Sequence, residues 1–298
     1  MNGILLVDKP SGMTSHDVVD RVRRAAGIRR VGHTGTLDPS ATGLLIMCIG
    51  TATRLSEFLT VLDKVYEGVM ELGRVTDSHD LDGVVLEEQP VPDLTREDIQ
   101  AVFDGFTGPI MQIPPMVSAV KVNGERLYKR ARKGEVVDRP ARPITVHEFE
   151  AIEYTPPRAS FRVRCTRGTY ARTLCHDAGA KIGCGAALAS LCRTAVGHHR
   201  LEEAVQLDDL QTPEDVKKCL RPLAGALDLP SVVLSASGRQ VVSHGGAIIE
   251  NDFQGACPID DGWIQLMAES GELLALGQVE RSAPGLRILP KRVLSAAS

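Results

Sequence analysis

Arg30-Val-Gly-His-Thr-Gly-Thr-Leu-Asp-Pro-Ser-Ala-Thr-Gly43 is the stretch on which the reading of this chain turns. It holds three glycines, three threonines, one histidine and one aspartate between a helical pattern and a continuous apolar run. Glycine lets a backbone turn sharply and approach a ligand closely. Asp38 precedes Pro39, which biases it to an extended conformation and discourages helix. Two readings stand at this point. Asp-Pro is a common turn initiator, and a polar loop of this kind is also where a catalytic carboxylate could sit, with His33 nearby.

Upstream, residues 3–7 read as a short buried strand. Thr14-Ser15 offers a helix N-cap, Val18, Val19, Val22, Ala25 and Ala26 follow at helical spacing, and Gly27 supplies the stop. Residues 29–43 read as irregular, and residues 43–50 as a buried strand bounded by glycines. Leu55, Phe58, Leu59 and Leu62 fall on one helical stripe. Thr95 with Asp98 marks the start of a second capped helix over 95–106. Residues 125–133 read as a short polar helix within an exposed excursion, which Pro114-Pro115 opens and Pro140 and Pro143 close. Residues 144–154 are strand-like. At 159–167, Phe161, Val163 and Cys165 alternate with Arg162, Arg164 and Thr166, an apolar face against a basic one. Residues 169–182 read as a helix ending at Gly183. Residues 203–229 read as polar and helical, with Pro213 and Pro222 as helix starts. From Ser231, short apolar stretches alternate with Gly, Asp and Pro turns; the stretches are 231–234, 240–243, 263–267, 272–279 and 286–289. They read as a small β-domain.

The 298 residues carry a net charge of −4 with 43% hydrophobic content. That content is enough for a core and too high for a disordered chain. The charge is uneven. Residues 1–60 hold 7 basic and 5 acidic side chains, 61–120 hold 3 and 12, 121–172 hold 13 and 6, and 173–298 hold 11 and 15. A basic block therefore sits inside an acidic chain. One reading is a solvated face; another is a local anion-binding surface, to which Arg158, Arg162 and Arg164 would add. No apolar run approaches the ~18 residues of a membrane span. The opening residues lack a basic n-region and a cleavage site, so secretion is not expected and a cytoplasmic location is. They also carry no basic arm. The seven cysteines include no Cys-x-x-Cys pair, so neither a zinc site nor a disulfide framework is expected. The segment Asp77-Ser-His-Asp-Leu-Asp-Gly83 imitates a calcium loop but has Gln89 where the bidentate glutamate belongs, and reads as an acidic surface turn. Phosphate-loop, dinucleotide-binding and nucleophile-elbow motifs are absent from the sequence.

Several motifs together resemble those of the bacterial TruB-type tRNA pseudouridine synthases. They are Gly3-Ile-Leu-Leu-Val-Asp-Lys-Pro-Ser-Gly-Met-Thr-Ser15, Gly32-His-Thr-Gly-Thr-Leu-Asp-Pro-Ser-Ala-Thr-Gly-Leu-Leu45, Lys64-Val-Tyr-Glu67, Gln112-Ile-Pro-Pro-Met-Val-Ser-Ala-Val-Lys121, Arg142-Pro-Ile-Thr-Val146, Arg167-Gly-Thr-Tyr-Ala-Arg-Thr-Leu174 and Leu191-Cys-Arg-Thr194. They run in order over about residues 3–200. A weaker likeness links the C-terminal β-domain to the PUA-like RNA-binding barrel of these enzymes. The resemblance implies an α+β fold. A mixed, mainly antiparallel sheet with flanking helices would occupy 1–228, with the basic insertion at about 114–143, and a PUA-like barrel 229–298.

The implied activity is that of an isomerase converting uridine to pseudouridine in the T loop of tRNA, with base flipping and without cofactor or metal. Asp38 would be the catalytic carboxylate, Arg172 its ion-pair partner and Tyr66 the ring stacked on the target base. Tyr170 and Leu191 would line the base pocket, Lys9 would lie near the cleft, and His33 would fill the space the flipped nucleotide vacates. Lys121, Arg126, Lys129, Arg130, Arg132, Lys133 and Arg142 become candidates for the RNA backbone. The implied partner is the tRNA T arm, with no guide RNA and no membrane, and a monomer is expected. Cys175, Cys184 and Cys192 are more cysteine than the family pattern leads one to expect, and read as small apolar packing. The alternatives are an RNA-binding or RNA-folding protein without catalysis, a pseudouridine synthase acting on another RNA, and an aspartyl-nucleophile phosphotransferase. The last would require magnesium and an Asp-x-Asp element, whereas Asp38 is followed by Pro39-Ser40.

Overall fold

The structure, a computed structural model, describes residues 1–116, 121–122, 125–126, 137–282 and 285–294. The first strand, β1 (Gly3–Lys9), buries all but one of its side chains, as a strand covered on both faces must. The helix Ser15–Ala26 follows. Its Thr14 side chain accepts from the Asp17 amide, and the Asp17 carboxylate accepts from the Thr14 amide, which completes a capping box. Gly27 ends it at φ 66°, the left-handed conformation glycine adopts without steric cost. Val18, Val22 and Ala26 face the sheet and pack with Leu5, Val7, Leu45 and Met47.

The stretch expected to be irregular over 29–43 contains a strand, β2 (Val31–Thr34), whose residues pair antiparallel with Ile46–Ile49 of β3 (Thr42–Ile49). A glycine- and threonine-rich sequence hid it, because pairing with a long buried strand supplies what local propensity does not. A 3-10 turn, Gly50–Leu55, and the short helix Ser56–Val61 lead to β4 (Lys64–Leu72). Next come β5 (Arg74–Thr76) and β6 (Val85–Glu88), the helix Arg96–Asp104 and β7 (Gly108–Gln112).

Within the excursion, β8 (Lys121–Val122) pairs antiparallel with β9 (Glu125–Arg126). The helix expected over 125–133 therefore does not begin at Glu125. The remainder of that expected helix lies outside the described residues.

The chain returns through β10 (Arg142–Thr155), β11 (Arg158–Cys165), the helix Ala171–Ile182, β12 (Ala186–Val196), β13 (His199–Arg200) and β14 (Val205–Gln206). These strands form one mixed sheet in the order β14-β1-β3-β12-β4-β11-β10-β7, with β2 beside β3 and β13 beside β12. The helices Arg96–Asp104 and Ala171–Ile182 cover its second half. There Phe103 stacks on Phe149 at 3.7 Å between ring centroids, and Phe161 meets Phe149 edge-on.

The middle of the sheet holds a narrow seam. β3 and β12 run parallel and share only two register pairs, Thr42 with Cys192 and Gly43 with Arg193. A Cβ on Gly43 would lie 2.4 Å from the Arg193 carbonyl oxygen, so only glycine lets the two backbones meet there. The loop 35–41 that precedes β3 enters the fold at this seam.

Between residues 203 and 229 the structure is less helical than expected. One helix, Pro213–Cys219, begins at its proline, but Pro222 starts none. Arg221 exchanges backbone hydrogen bonds with Ile4, which holds the chain extended there. The C-terminal residues form β15 (Ser231–Leu234), β16 (Phe253–Gln254), β17 (Gly262–Met267), β18 (Leu273–Ser282) and β19 (Gly285–Val293). They make a curled five-stranded sheet in the order β16-β15-β17-β18-β19. Residues 240–243, expected as a strand, lie in the helix Ala236–Ser243, capped by Ser235. A four-residue apolar run cannot be assigned by periodicity alone. Leu273, Leu276 and Leu294 of this sheet join Ile4, Leu6 and Leu44 in one apolar cluster, and Trp263 meets Phe58 edge-on at 4.6 Å.

Candidate active site

The loop before β3 is held from beneath. Asp38, Pro39, Ser40 and Ala41 make a turn closed by a hydrogen bond from the Ala41 amide to the Asp38 carbonyl. The Leu37 amide donates to the Ser15 hydroxyl, which in turn donates to the Leu37 carbonyl. The ammonium of Lys9, fully buried, donates to the carbonyls of Pro10, Met13 and Pro39. Asp38 is thus both a turn former and a carboxylate presented at the seam of the sheet.

That carboxylate meets Arg172 on the first turn of the helix Ala171–Ile182. Arg172 Nη2 lies 3.3 and 3.2 Å from the two Asp38 oxygens, and its Nη1 lies 3.2 Å from Asp80 Oδ2. One guanidinium therefore bridges two carboxylates. The Arg172 side chain is 4% exposed and Asp80 13%, whereas Asp38 keeps 41% of its surface open. Burial raises the Asp38 pKa, and the Asp80 and Asp82 charges add to the rise. The Arg172 and Lys9 cations oppose it. The same burial brings the Lys9 ammonium down to about 8, with Asp38 opposing.

Asp38 and Arg172 open on a cavity of about 230 Å³, also lined by Lys64, Tyr66, Tyr170, Leu188, Leu191 and Arg193. Tyr66 stands on β4, paired across the sheet with Arg193 on one side and Val163 on the other. Its hydroxyl is buried, which pushes its pKa up. Tyr170 precedes the Ala171–Ile182 helix, and the buried Gln112 side chain fixes it by accepting from its amide and donating to its carbonyl. The Arg172 guanidinium carbon sits 5.8 Å from the centre of the Tyr170 ring.

Of the residues singled out in the sequence, Asp38, Tyr66, Tyr170, Arg172 and Leu191 converge on this cavity. Lys9 and His33 do not line it. Lys9 braces the Asp38 turn, and His33 lies on β2, paired with Met47 of β3. Lys121 and Arg126 face each other in the β8–β9 register, and Arg142 pairs with Gln112 at the base of the excursion. Lys129, Arg130, Arg132 and Lys133 lie outside the described residues.

Sequence reasoning missed Asp80. Its segment reads as an acidic surface turn, yet the Leu81 amide donates to the Leu188 carbonyl and the Leu188 amide to the His79 carbonyl. These bonds pin the turn to the edge of β12 and carry Asp80 to Arg172. The acidic region thus enters the site rather than facing away from it. Nothing in local spacing links residue 80 to residue 172, so only the fold reveals the pair. The basic face of β11 also needs correction. Arg158 bonds Glu71 through Nε at 3.1 Å and a terminal nitrogen at 3.0 Å. Arg164 reaches Asp63, and Arg162 sits between Glu67 and Glu150 in the register. Arg158 and Arg164 on that face are thus already partnered by carboxylates.

A family model described as "TruB family pseudouridylate synthase (N terminal domain)" matches residues 23–171. A second, "tRNA pseudouridylate synthase B C-terminal domain", matches residues 172–228. The chain is 52% identical over 236 residues to a protein of Opitutus terrae named tRNA pseudouridine synthase B, covering 78% of this chain and 97% of that one. A protein of the same name from Moorella thermoacetica is 44% identical over 301 residues, covering 98% and 99%. Among solved structures, an H/ACA ribonucleoprotein bound to a substrate RNA containing 2′-deoxyuridine superposes with a TM-score of 0.76. It is 25% identical, covering 98% of this chain and 85% of that one. An archaeal box H/ACA Nop10–Cbf5 complex gives a TM-score of 0.74 at 27% identity, covering 99% and 86%.

Proposed function

The chain belongs to the TruB family of pseudouridylate synthases, and from that premise we propose that it isomerises uridine to pseudouridine in the T loop of tRNA with Asp38 as the reacting carboxylate. The observation that carries this reading is the pairing of the half-open Asp38 carboxylate with the buried Arg172 at the mouth of a cavity walled by Tyr66 and Leu191. A carboxylate there can attack carbon or take a proton, and it can hold negative charge against a sugar that becomes cationic as the base detaches. Arg172 keeps it ionised and aimed. Tyr66 offers a stacking face, worth ~1–3 kcal/mol per base, toward the few kcal/mol that flipping a nucleotide costs. Tyr170 and Leu191 shape the pocket. Lys9 acts through the loop it braces, and His33 stands on the strand behind that loop.

The RNA would be held by Lys121, Arg126, Arg142 and the further basic residues at 129–133, which position a stem without reading its sequence. We assign residues 1–228 to the catalytic domain and 229–298 to a PUA-like RNA-binding domain, and place the enzyme in the cytoplasm as a monomer acting on the T arm without guide RNA. Relatives 39–52% identical are named for tRNA, which favours this reading over assembly into a ribonucleoprotein particle.

The test is Asp38→Asn in the full chain, with a T-arm transcript carrying C5-tritiated uridine. Loss of tritium release with RNA binding retained is expected. Release by the variant would remove Asp38 from the chemistry, and an inactive wild-type enzyme without guide RNA would overturn the tRNA reading.

A further inference from the structure

Two buried cations stand at the cavity wall with no task in the reading above. Lys64, on β4, is 4% exposed, and its ammonium donates to the Thr60 and Leu62 carbonyls at 2.6 Å each. Arg193, on β12, is 1% exposed. Its Nε donates to the Leu44 carbonyl at 2.7 Å and its Nη2 to the Gly35 carbonyl at 3.0 Å. Its charge acts on the Tyr66 hydroxyl. Both residues line the cavity that holds Asp38 and Tyr66. Gly35 passes directly over them: a Cβ there would lie 3.4 Å from Arg193 Nη1 and 3.7 Å from Lys64 Cε. At Gly35 the loop therefore sets no side chain against the two cations.

Among the described residues, neither cation makes an ion pair with a carboxylate. Asp63, which acts on Lys64 from a distance, contacts His147 at 3.0 Å. Burying positive charge against neutral oxygens alone is costly. A fixed, dry, positive wall is, however, well suited to negative charge that appears only during a reaction.

The isomerisation creates such a charge. The C1′–N1 bond breaks and its electron pair leaves with the base, so uracil becomes an anion delocalised over N1, O2 and O4. The cationic character left on the sugar is met by Asp38. The base turns, C5 bonds to C1′, the C5 hydrogen leaves as a proton, and N1 gains one. We propose that Lys64 and Arg193 form a cationic wall that stabilises the detached uracil anion while it turns. The proposal rests on the pseudouridine synthase reading of the Asp38 site.

Burial and the Arg193 charge lower the Lys64 ammonium to about 8, with Arg167 adding to the drop and Cys165 and Asp63 opposing it. Tyr66, on the same strand, has its own phenol held protonated by burial. If the wall must be charged, the wild-type rate falls as pH rises through about 8.

The test uses the full chain in single-turnover reactions on a T-arm transcript bearing uridine or 5-fluorouridine at the target, with the digested RNA separated by chromatography. Fluorine makes the departing base a weaker base, so it needs less help from the wall. Wild-type turnover of the uridine transcript checks the underlying reading; its absence overturns that reading, and the wall with it. With wild type active, Lys64→Gln is expected to slow chemistry by about 10²-fold while RNA affinity changes by less than about threefold. Its defect should be distinctly smaller with 5-fluorouridine. Lys64→Arg should restore most of the rate and abolish the fall above pH 8. An equal loss with both bases, or a loss confined to RNA affinity, would show that these cations only brace the pocket. Arg193→Gln repeats the comparison; should it fail to fold by circular dichroism, the Lys64 pair of variants decides.

Discussion

Two loops deliver a carboxylate to Arg172, and they do so in opposite ways. The Asp38 loop is fixed by the Ser15 and Lys9 side chains and by the Gly12 amide, which donates to the Pro39 carbonyl, and it leaves its carboxylate 41% open. The Asp80 turn is fixed by backbone bonds to β12 and buries its carboxylate to 13% exposure, with the Ser78 hydroxyl donating to it at 2.5 Å. The open carboxylate has a free face with which to react. The buried one is committed to its hydrogen bonds and can only orient the guanidinium between them. Chemically identical groups on one partner thus divide the work by burial.

The sharpest way to break this comparison is to neutralise each carboxylate in turn. Asp38→Asn should lower the rate constant by about 10²–10⁴-fold with little change in RNA affinity, measured by tritium release and filter binding. Asp80→Asn should cost up to about 10²-fold, the penalty for misplacing a reacting group by about an ångström. Equal losses would mean that burial does not separate the two roles.

The acid limb of the pH–rate profile sharpens the point. On the proposed reading the active form of Asp38 is the carboxylate, so activity should be lost as pH falls through its pKa. Arg172 lowers that pKa and Asp80 raises it. Arg172→Met should therefore move the acid limb to higher pH, and Asp80→Asn to lower pH; shifts of the same sign would contradict the arrangement. Smaller effects belong to the anchors. Ser15→Ala leaves the Leu37 amide unpaired in a buried site and should destabilise the fold by about 1–3 kcal/mol in urea titration. Thr14→Ala, which removes only the helix cap, should cost about 1 kcal/mol.

Local signals were read well wherever they carry their own physics. Thr14 and Gly27 bracket the first helix, Thr95 and Asp98 cap the second, and the apolar run before Gly50 is a buried strand. They were misread where a long partner overrides weak propensity. Val31–Thr34 became a strand on β3, whereas residues 240–243, a run too short for its period to decide, joined a capped helix. In the site, Asp38, Tyr66, Tyr170, Arg172 and Leu191 carried motif signals and converge as expected. Lys64 and Arg193 lay inside quoted motifs, but their burial together at one wall was not visible. The Glu71, Glu67 and Glu150 neighbours of the β11 arginines come from cross-strand register, which the alternation within one strand cannot report.

The sequence by itself determined the caps, the buried strands and the carboxylate in its Asp-Pro turn. Each depends on chemistry within a few residues, where backbone sterics and hydrophobic period act directly. Only the tertiary structure decided that Asp80 shares Arg172 with Asp38, that Gly43 lets β3 meet β12, and that Arg193 lies behind Tyr66. Those pairings join residues tens to more than a hundred positions apart. Their energies depend on burial and register, and neither quantity exists until the sheet has formed.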